Sequence, residues 1–301
     1  LKRGCKVKFL PKPLKSWLIH NLIQGRIATQ VARLLKLPVT AVKYFPYKYG
    51  EDSYYIPKLP DAGVERCGDG LPIPPIPLWQ GYGKTPDEYL ASGREHVQKM
   101  REILGAANFQ LNGGKRILEL GCGGGRMIRH LKKFADSSEI WGIDVCAEYV
   151  IWCKQYLTPP FNFATTTTIP HLPFEDGYFD FAYAGSVFTH IDDLPDAWLL
   201  ELRRVLSPSG MLYVTIHDEH TTELLDTVYK NKWFERYLNA DPVYCTQKKK
   251  AGMIVVGRST DSQVFYDLEF FLSNLRSIFR VVSVTQEAYG YQTGVLLQKE
   301  K

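Results

Sequence analysis

Arg116-Ile-Leu-Glu-Leu-Gly-Cys-Gly-Gly-Gly-Arg126 decides how this chain is read. An apolar run of strand length enters a turn with four glycines (Gly121, Gly123, Gly124 and Gly125), and a helical pattern follows. Glycine lets such a turn take left-handed backbone and lets a ligand approach with no Cβ in the way. The free amides at the start of the next helix favour an anionic group. A glycine-rich turn alone suits any nucleotide binder, but the spacing here is G-x-G-x-G. The dinucleotide fingerprint G-x-G-x-x-G would need glycine where Arg126 stands.

Outward from the turn, apolar runs alternate with helical patterns. Strands are expected at 116–120, 140–144, 161–165, 179–184 and 211–216, and helices near 125–135, 147–157 and 194–206. The alternation predicts an α/β fold whose mostly parallel sheet is covered on both faces. Thr85-Pro86-Asp87 carries a capping residue and a first-turn proline, so a helix to about 104 precedes the first strand. A helix around 221–238 and the polar Lys248-Lys249-Lys250 stretch read as an insertion after the fifth strand, about 219–265. A helix at 267–278 then leads to two strand-like runs, 280–284 and 294–298, joined by 286–291. That joint is long enough for a reversal, which predicts an antiparallel pair at the sheet edge.

The 301 residues, 45% of them hydrophobic, suffice for one full-sized α/β domain (86–301) with an N-terminal cap (1–85). Charge is uneven. The net +5 divides into +10 over residues 1–60 and −5 over the remainder. Leu14, Trp17, Leu18, Leu22, Val31 and Leu35 fall on one helical face of the basic segment. Leu71-Pro-Ile-Pro-Pro-Ile-Pro-Leu-Trp79 cannot be helix or central strand and reads as an extended strap onto the core. The basic end suits peripheral contact with an anionic membrane, docking of a protein partner, or a solvated cap face; no RNA-binding signature accompanies it, which disfavours nucleic acid. Six cysteines without a C-x-x-C pair match neither a zinc site nor a disulfide framework, so no metal is expected and a reduced, cytoplasmic protein is the simpler reading. No apolar run reaches eighteen residues. The chain starts at Leu1 rather than Met, and a longer parent chain is expected.

Asp144 ends the second strand, 23 residues after Gly121. An acid there is placed to accept hydrogen bonds from both hydroxyls of a ribose, or else to cap the helix that starts near Cys146. With this in place, Glu119-Leu-Gly-Cys-Gly123 resembles the first motif of the class I, Rossmann-like S-adenosylmethionine-dependent methyltransferases. Leu172-Pro-Phe-Glu-Asp-Gly-Tyr-Phe-Asp180, Ser186-Val-Phe-Thr-His190 and Arg204-Val-Leu-Ser-Pro-Ser-Gly210 resemble later segments of that family, in the family's order. The resemblance covers about 113–217, and the tail from Asp267 resembles the family's closing helix and reversed seventh strand. It implies a seven-stranded sheet with one antiparallel strand at the edge, S-adenosylmethionine as cofactor and S-adenosylhomocysteine as product.

Residue by residue, the resemblance implies that Glu119 lies beneath the methionine end of the cofactor. Gly121, Cys122 and Gly123 would line its backbone, Asp144 would hold the ribose, and Val145 would lie against the adenine. Ser186 and Val187 would border the reacting methyl. Family members often carry an acid just after strand three; this chain has Thr165-Thr-Thr-Thr-Ile-Pro-His171, so Thr168 or a main-chain group would take that place. Arg126 is either a structural ion-pair partner or a ligand contact.

Methyl transfer from a sulfonium asks the protein to align the acceptor and exclude water. A hydroxyl acceptor benefits from a base; an amine needs none. His190 follows strand four and His217 follows strand five, both at the carboxyl edge where open α/β sheets bind ligands. Asp218 is placed to orient His217, the alternatives being a solvated loop or no base at all. Tyr82 and Trp79 are candidates for the acceptor wall. The motif set looks like enzymes acting on a small molecule or sugar-like acceptor in secondary-metabolite or glycan biosynthesis. The rivals are an RNA or protein methyltransferase, a non-catalytic cofactor-binding module, and a nicotinamide-dependent oxidoreductase, the last disfavoured by Arg126.

Overall fold

β1 (Arg116–Leu120) is buried along nearly its whole length, and its side chains alternate between two cores. Ile117 joins Ile140, Phe181 and Tyr213 on one face; Leu118 joins Ile143, Ala182 and Leu212 on the other. This two-residue period is what a strand covered on both sides requires. The computed structural model describes residues 68–230, 232–257 and 262–300. The basic segment with its expected amphipathic helix therefore lies outside the described residues.

β2 (Glu139–Asp144), β3 (Asn162–Thr165) and β4 (Phe179–Ala184) match the predicted strands within a residue or two. β5 (Leu206–Ile216) is longer than expected, because the chain is already extended from Leu206. With β8 (Arg280–Tyr289) and β9 (Gln292–Gln298), these strands form one seven-stranded sheet, ordered β3-β2-β1-β4-β5-β9-β8. The reversed strand β9 runs antiparallel to both β5 and β8. β8 runs on to Tyr289 through register shifts, so the reversal is a two-residue turn rather than the expected 286–291 loop.

Helix α1 (Pro86–Ala106) starts as its sequence predicts: Thr85 Oγ1 accepts the Glu88 amide, with Pro86 at the first position. α1, a 3-10 helix (Ile128–Phe134) and α2 (Ala147–Tyr156) supply one core. α3 (Pro195–Val205) supplies Trp198, Leu199, Leu202 and Val205 to the other. Full burial of a side chain such as Leu202 stabilises by roughly 2 kcal/mol. Arg204 at the end of α3 ties down the 172–180 segment. Its guanidinium donates to Glu201, Asp176 and the Leu172 and Phe174 carbonyls.

The insertion is more broken than its sequence suggests. α4 (Glu219–Asp226) opens on a capping box between Asp218 and Thr221. It stops at Thr227, whose hydroxyl bonds back to the Glu223 carbonyl, and α5 (Trp233–Asn239) starts afresh. Next come α6 (Pro242–Gln247), capped by Asp241, and a two-stranded antiparallel pair, β6 (Met253–Val256) and β7 (Gln263–Tyr266). α7 (Leu268–Leu275) then returns the chain to the main sheet.

The proline-rich strap is held by one buried cation. Arg129, on the 3-10 helix, donates to both oxygens of Asp69 at 2.8 and 3.1 Å and to the Leu71 and Pro72 carbonyls. Burial pushes the Asp69 carboxyl up, but the bonds from Arg129 and the Leu71 amide outweigh it and hold the group below its ordinary value.

Candidate active site

Where β1 ends, Gly121, Gly123 and Gly125 all take positive φ, as the motif requires. A Cβ on Gly121 would stand 2.4 Å from the Val187 side chain, so β1 and the exit of β4 approach as closely as glycine allows. The turn is clamped by Asp144. One carboxylate oxygen accepts the Gly123 amide and the other the Cys146 amide, each at 2.8 Å. Asp144 thus shapes the turn and the entry to α2, whose N-cap is Cys146 rather than Asp144. Burial raises its pKa while the amides oppose that shift. The Val145 amide lies against the same carboxylate.

Beneath the turn, Glu119 is buried and accepts the Tyr183 hydroxyl at 2.9 Å. Burial lifts its pKa to about 8, against the Tyr183 bond and the charge of Arg126. Glu119, Gly121, Cys122, Ser186 and His190 line one cavity of about 130 Å³, together with Gln80, Tyr82, Arg126 and Tyr289. The volume is below the usual few hundred Å³ of a small-molecule site; Gln80 and Tyr82, just after the strap, close one side of it. Gln80 places its amide where a Gly123 Cβ would be, at 2.9 Å. A side-chain-free glycine turn, a buried acid at the end of β2 and a second acid below are what an adenosyl amino acid asks of its site. The residues fit that group.

Ser186 adopts φ 57° at the exit of β4, and its amide donates to Thr215 Oγ1. Its own hydroxyl accepts from Gln292 at 2.8 Å, which faces it toward the cavity rim. His190 is exposed at the cavity, and its Nδ1 lies 2.8 Å from the Ser262 carbonyl. A carbonyl only accepts, so Nδ1 carries the proton and Nε2 is the basic nitrogen of the neutral ring.

His217 does not reach this cavity. Its ring lies 4.8 to 6.0 Å from the rings of Phe265, Tyr291 and Phe234, fully buried, with no hydrogen-bond partner for either nitrogen among the described residues. Burial, followed by the proximity of His190, lowers its pKa to about 3. Asp218 is turned into its own helix, accepting the Thr221 amide at 3.0 Å. The expected His217–Asp218 pair is not assembled, because apolar packing claims one member and a helix cap the other. Trp79 is buried too, stacked on Tyr89 and donating to the Pro74 carbonyl, so it braces the strap. Thr168 is exposed, Val145 is half-buried, and neither lines the cavity.

The sequence does not single out Gln80, Tyr289 or His96. Tyr289 donates to the Tyr82 hydroxyl at 2.9 Å and accepts a short bond from Arg126. Arg126 stands 3.8 Å over the Tyr82 ring, and His96 stacks on Tyr289. His96 lies 3.0 Å from the Arg126 guanidinium; burial, and then that charge, lower its pKa to about 3, so it accepts as a neutral ring. Among the described residues Arg126 has no carboxylate within ion-pair distance, so it serves as a polar brace in an aromatic wall. A larger groove of about 650 Å³ lies beside α4, lined among others by Glu219, Asp226, Lys248 and Asp267. It shares no residue with the glycine turn, and size alone does not make it the reactive site.

Residues 118–214 match the methyltransferase domain family. Those residues therefore form a methyltransferase domain. It is 32% identical over 103 residues to the 2-phytyl-1,4-naphtoquinone methyltransferase of Trichormus variabilis, covering 32% of this chain and 44% of that protein. It is 28% identical over 171 residues to an uncharacterized Synechococcus protein, covering 54% and 39% respectively. The chain thus spans less than half the length of these curated relatives. A solved structure from Listeria monocytogenes, assigned to the S-adenosylmethionine-dependent methyltransferases, superposes with a TM-score of 0.50 at 14% identity, over 70% of this chain and 99% of that one. The last likeness establishes the shared fold of the methyltransferase domain. No helix of the described residues is long and apolar enough to cross a membrane, and no described His, Cys, Asp and Glu side chains cluster as a metal site.

Proposed function

We propose that the chain transfers a methyl group from S-adenosylmethionine to a hydroxyl or amine of a small-molecule or sugar-like acceptor. The observation that carries this is the convergence of Glu119, Gly121, Ser186 and His190 on one cavity at the carboxyl edge of the sheet, walled by Tyr82 and Tyr289. When bound, the cofactor supplies a methyl group already activated on a sulfonium. The glycine turn admits the ligand backbone, Asp144 accepts from the ribose, and Glu119 faces the amino-acid end.

The acceptor would lie between Ser186 and the two tyrosines, with Gln80 and Tyr82 closing the cavity against water. For a hydroxyl acceptor, His190 takes the proton at Nε2 while the Ser262 carbonyl holds Nδ1–H and fixes the tautomer. Aromatic walls favour a planar or apolar acceptor over a heavily charged one. The Trichormus relative is by its name a methyltransferase of 2-phytyl-1,4-naphtoquinone, which supports a small-molecule acceptor with apolar parts.

The test is calorimetric titration of the purified protein with S-adenosylmethionine and S-adenosylhomocysteine, beside Asp144→Ala and with NADH as a control. Micromolar binding, weakened about a hundredfold in the variant, is expected; transfer of labelled methyl to an acceptor panel then identifies the substrate. Binding of NADH alone, or no binding by folded wild type, would overturn the reading.

A further inference from the structure

The insertion presents an apolar face outside the active site. On α5, Phe234 and Leu238 point inward to a core of their own with Leu225, Tyr244, Ile254 and Phe265. Trp233 and Tyr237, also four residues apart and so on one helix face, point outward, 72% and 40% exposed. Val228 and Val243, from the flanking segments, are 66% and 54% exposed. Among the described residues the Trp233 ring meets the fold at Phe234 and is otherwise largely bare, and the inward pair already anchors the helix.

The charges around this face are mainly positive, although Lys248 is paired with Asp226 and Lys248, Lys249 and Lys250 line the neighbouring groove. Residues 228–250 hold six Lys and Arg against Glu235 and Asp241. Asp241 is engaged in capping α6, whereas Lys230 and Lys232 immediately precede Trp233, and Arg236 lies one turn along. A tryptophan among cations, on a rigid apolar support, matches the interface of a bilayer with anionic headgroups. The ring enters the headgroup region while the cations meet phosphate. A protein partner would call for a larger apolar core and mixed charge at the rim. Phe234, next to Trp233, packs against His217 at the carboxyl end of β5, which ties α5 to the main sheet.

We infer that the α5 face, centred on Trp233 with Lys230, Lys232 and Arg236, docks the protein reversibly on an anionic phospholipid surface. The inference goes beyond the proposed reaction and does not depend on it.

The test is co-sedimentation of the full chain with sucrose-loaded vesicles of phosphatidylcholine alone or with 30% phosphatidylglycerol, compared among wild type, Trp233→Ala, and Lys230→Gln with Lys232→Gln. Thermal unfolding checks that each variant folds, as expected for exposed positions. Wild type should partition onto the anionic vesicles and not the neutral ones. Either variant, or 0.5 M salt, should lower the partition coefficient about tenfold. Trp233 emission should shift to the blue, seen as the wild-type minus Trp233→Ala difference. Equal partition of all three proteins would assign lipid binding elsewhere and overturn the inference. Absence of binding to anionic vesicles would do the same, as would a concentration-dependent dimer in light scattering that Trp233→Ala abolishes.

Discussion

Two ends of the same sheet edge bury polar side chains in opposite ways. At the β1–β2 end, Asp144 and Glu119 are buried but satisfied, by two amides and by a tyrosine hydroxyl. At the β5 end, His217 is buried with neither ring nitrogen bonded among the described residues, inside an aromatic cage. The first arrangement holds polar groups where a polar ligand would use them. The second costs stability and gains nothing by contact with the cavity, so a histidine at a sheet's carboxyl edge is no guide to chemistry by itself. His190, between the two, has both a partner and a place at the cavity.

The comparison breaks most visibly at His190. With a hydroxyl acceptor, His190→Gln should lower kcat by about 10² to 10⁴-fold and leave cofactor affinity within about threefold. Steady-state kinetics beside calorimetry would show it, and equal loss in both would reduce His190 to a positioning role. Next in size is the strap beside the satisfied end. Arg129→Met leaves Asp69 facing a buried apolar group and should cost about 3 kcal/mol in urea denaturation. The wild-type contribution of Asp69 should also fade in acid. A carboxyl held below its ordinary value stabilises above its unfolded pKa, and that contribution is lost as pH falls through the folded one.

Glu119 sharpens the comparison through pH. Its folded pKa, about 8, lies above the ordinary 4.5, so its contribution is complete below pH about 4.5 and is lost as pH rises toward 8. Glu119→Gln should therefore gain stability relative to wild type between pH 5.5 and 8. At pH 7, binding of the cofactor's cationic end to wild type should release up to one proton. Calorimetry in buffers of different ionisation enthalpy measures this, and a wild-type release equal to that of the variant would count against the assigned contact. The smallest effect belongs to His217→Phe. Removing two unbonded buried nitrogens from an aromatic cage should leave turnover unchanged and stability equal or higher by about 1 kcal/mol. A loss of turnover comparable to that of His190→Gln would restore His217 to the chemistry.

The elements that carry the cofactor side were legible because local rules and global fold agree there. β1 is a continuous apolar run, the glycines stand where positive φ is needed, and Asp144 ends the next strand at the predicted place. The acceptor side was legible in part. Tyr82, expected near the site from its position before the core, lines the cavity, and its partner Tyr289 was obscured because 286–291 reads as a turn. The strand continues through register shifts that main-chain pairing with β9 imposes. The His217–Asp218 pair was attractive as adjacent residues, but adjacency along a chain sets no direction for either side chain.

By itself, then, the sequence determined the alternation of strands and helices, the glycine turn and its acid, and the reversed strand near the end. Each follows from the backbone period or from the steric freedom of a single residue, and both are local. Tertiary structure decided which histidine meets the cavity, which aromatic residues wall it, and that Arg129 ties the strap down beside the glycine turn. Those outcomes depend on residues 60 to 160 positions apart competing for the same buried space, and packing settles that competition only when the whole sheet is assembled.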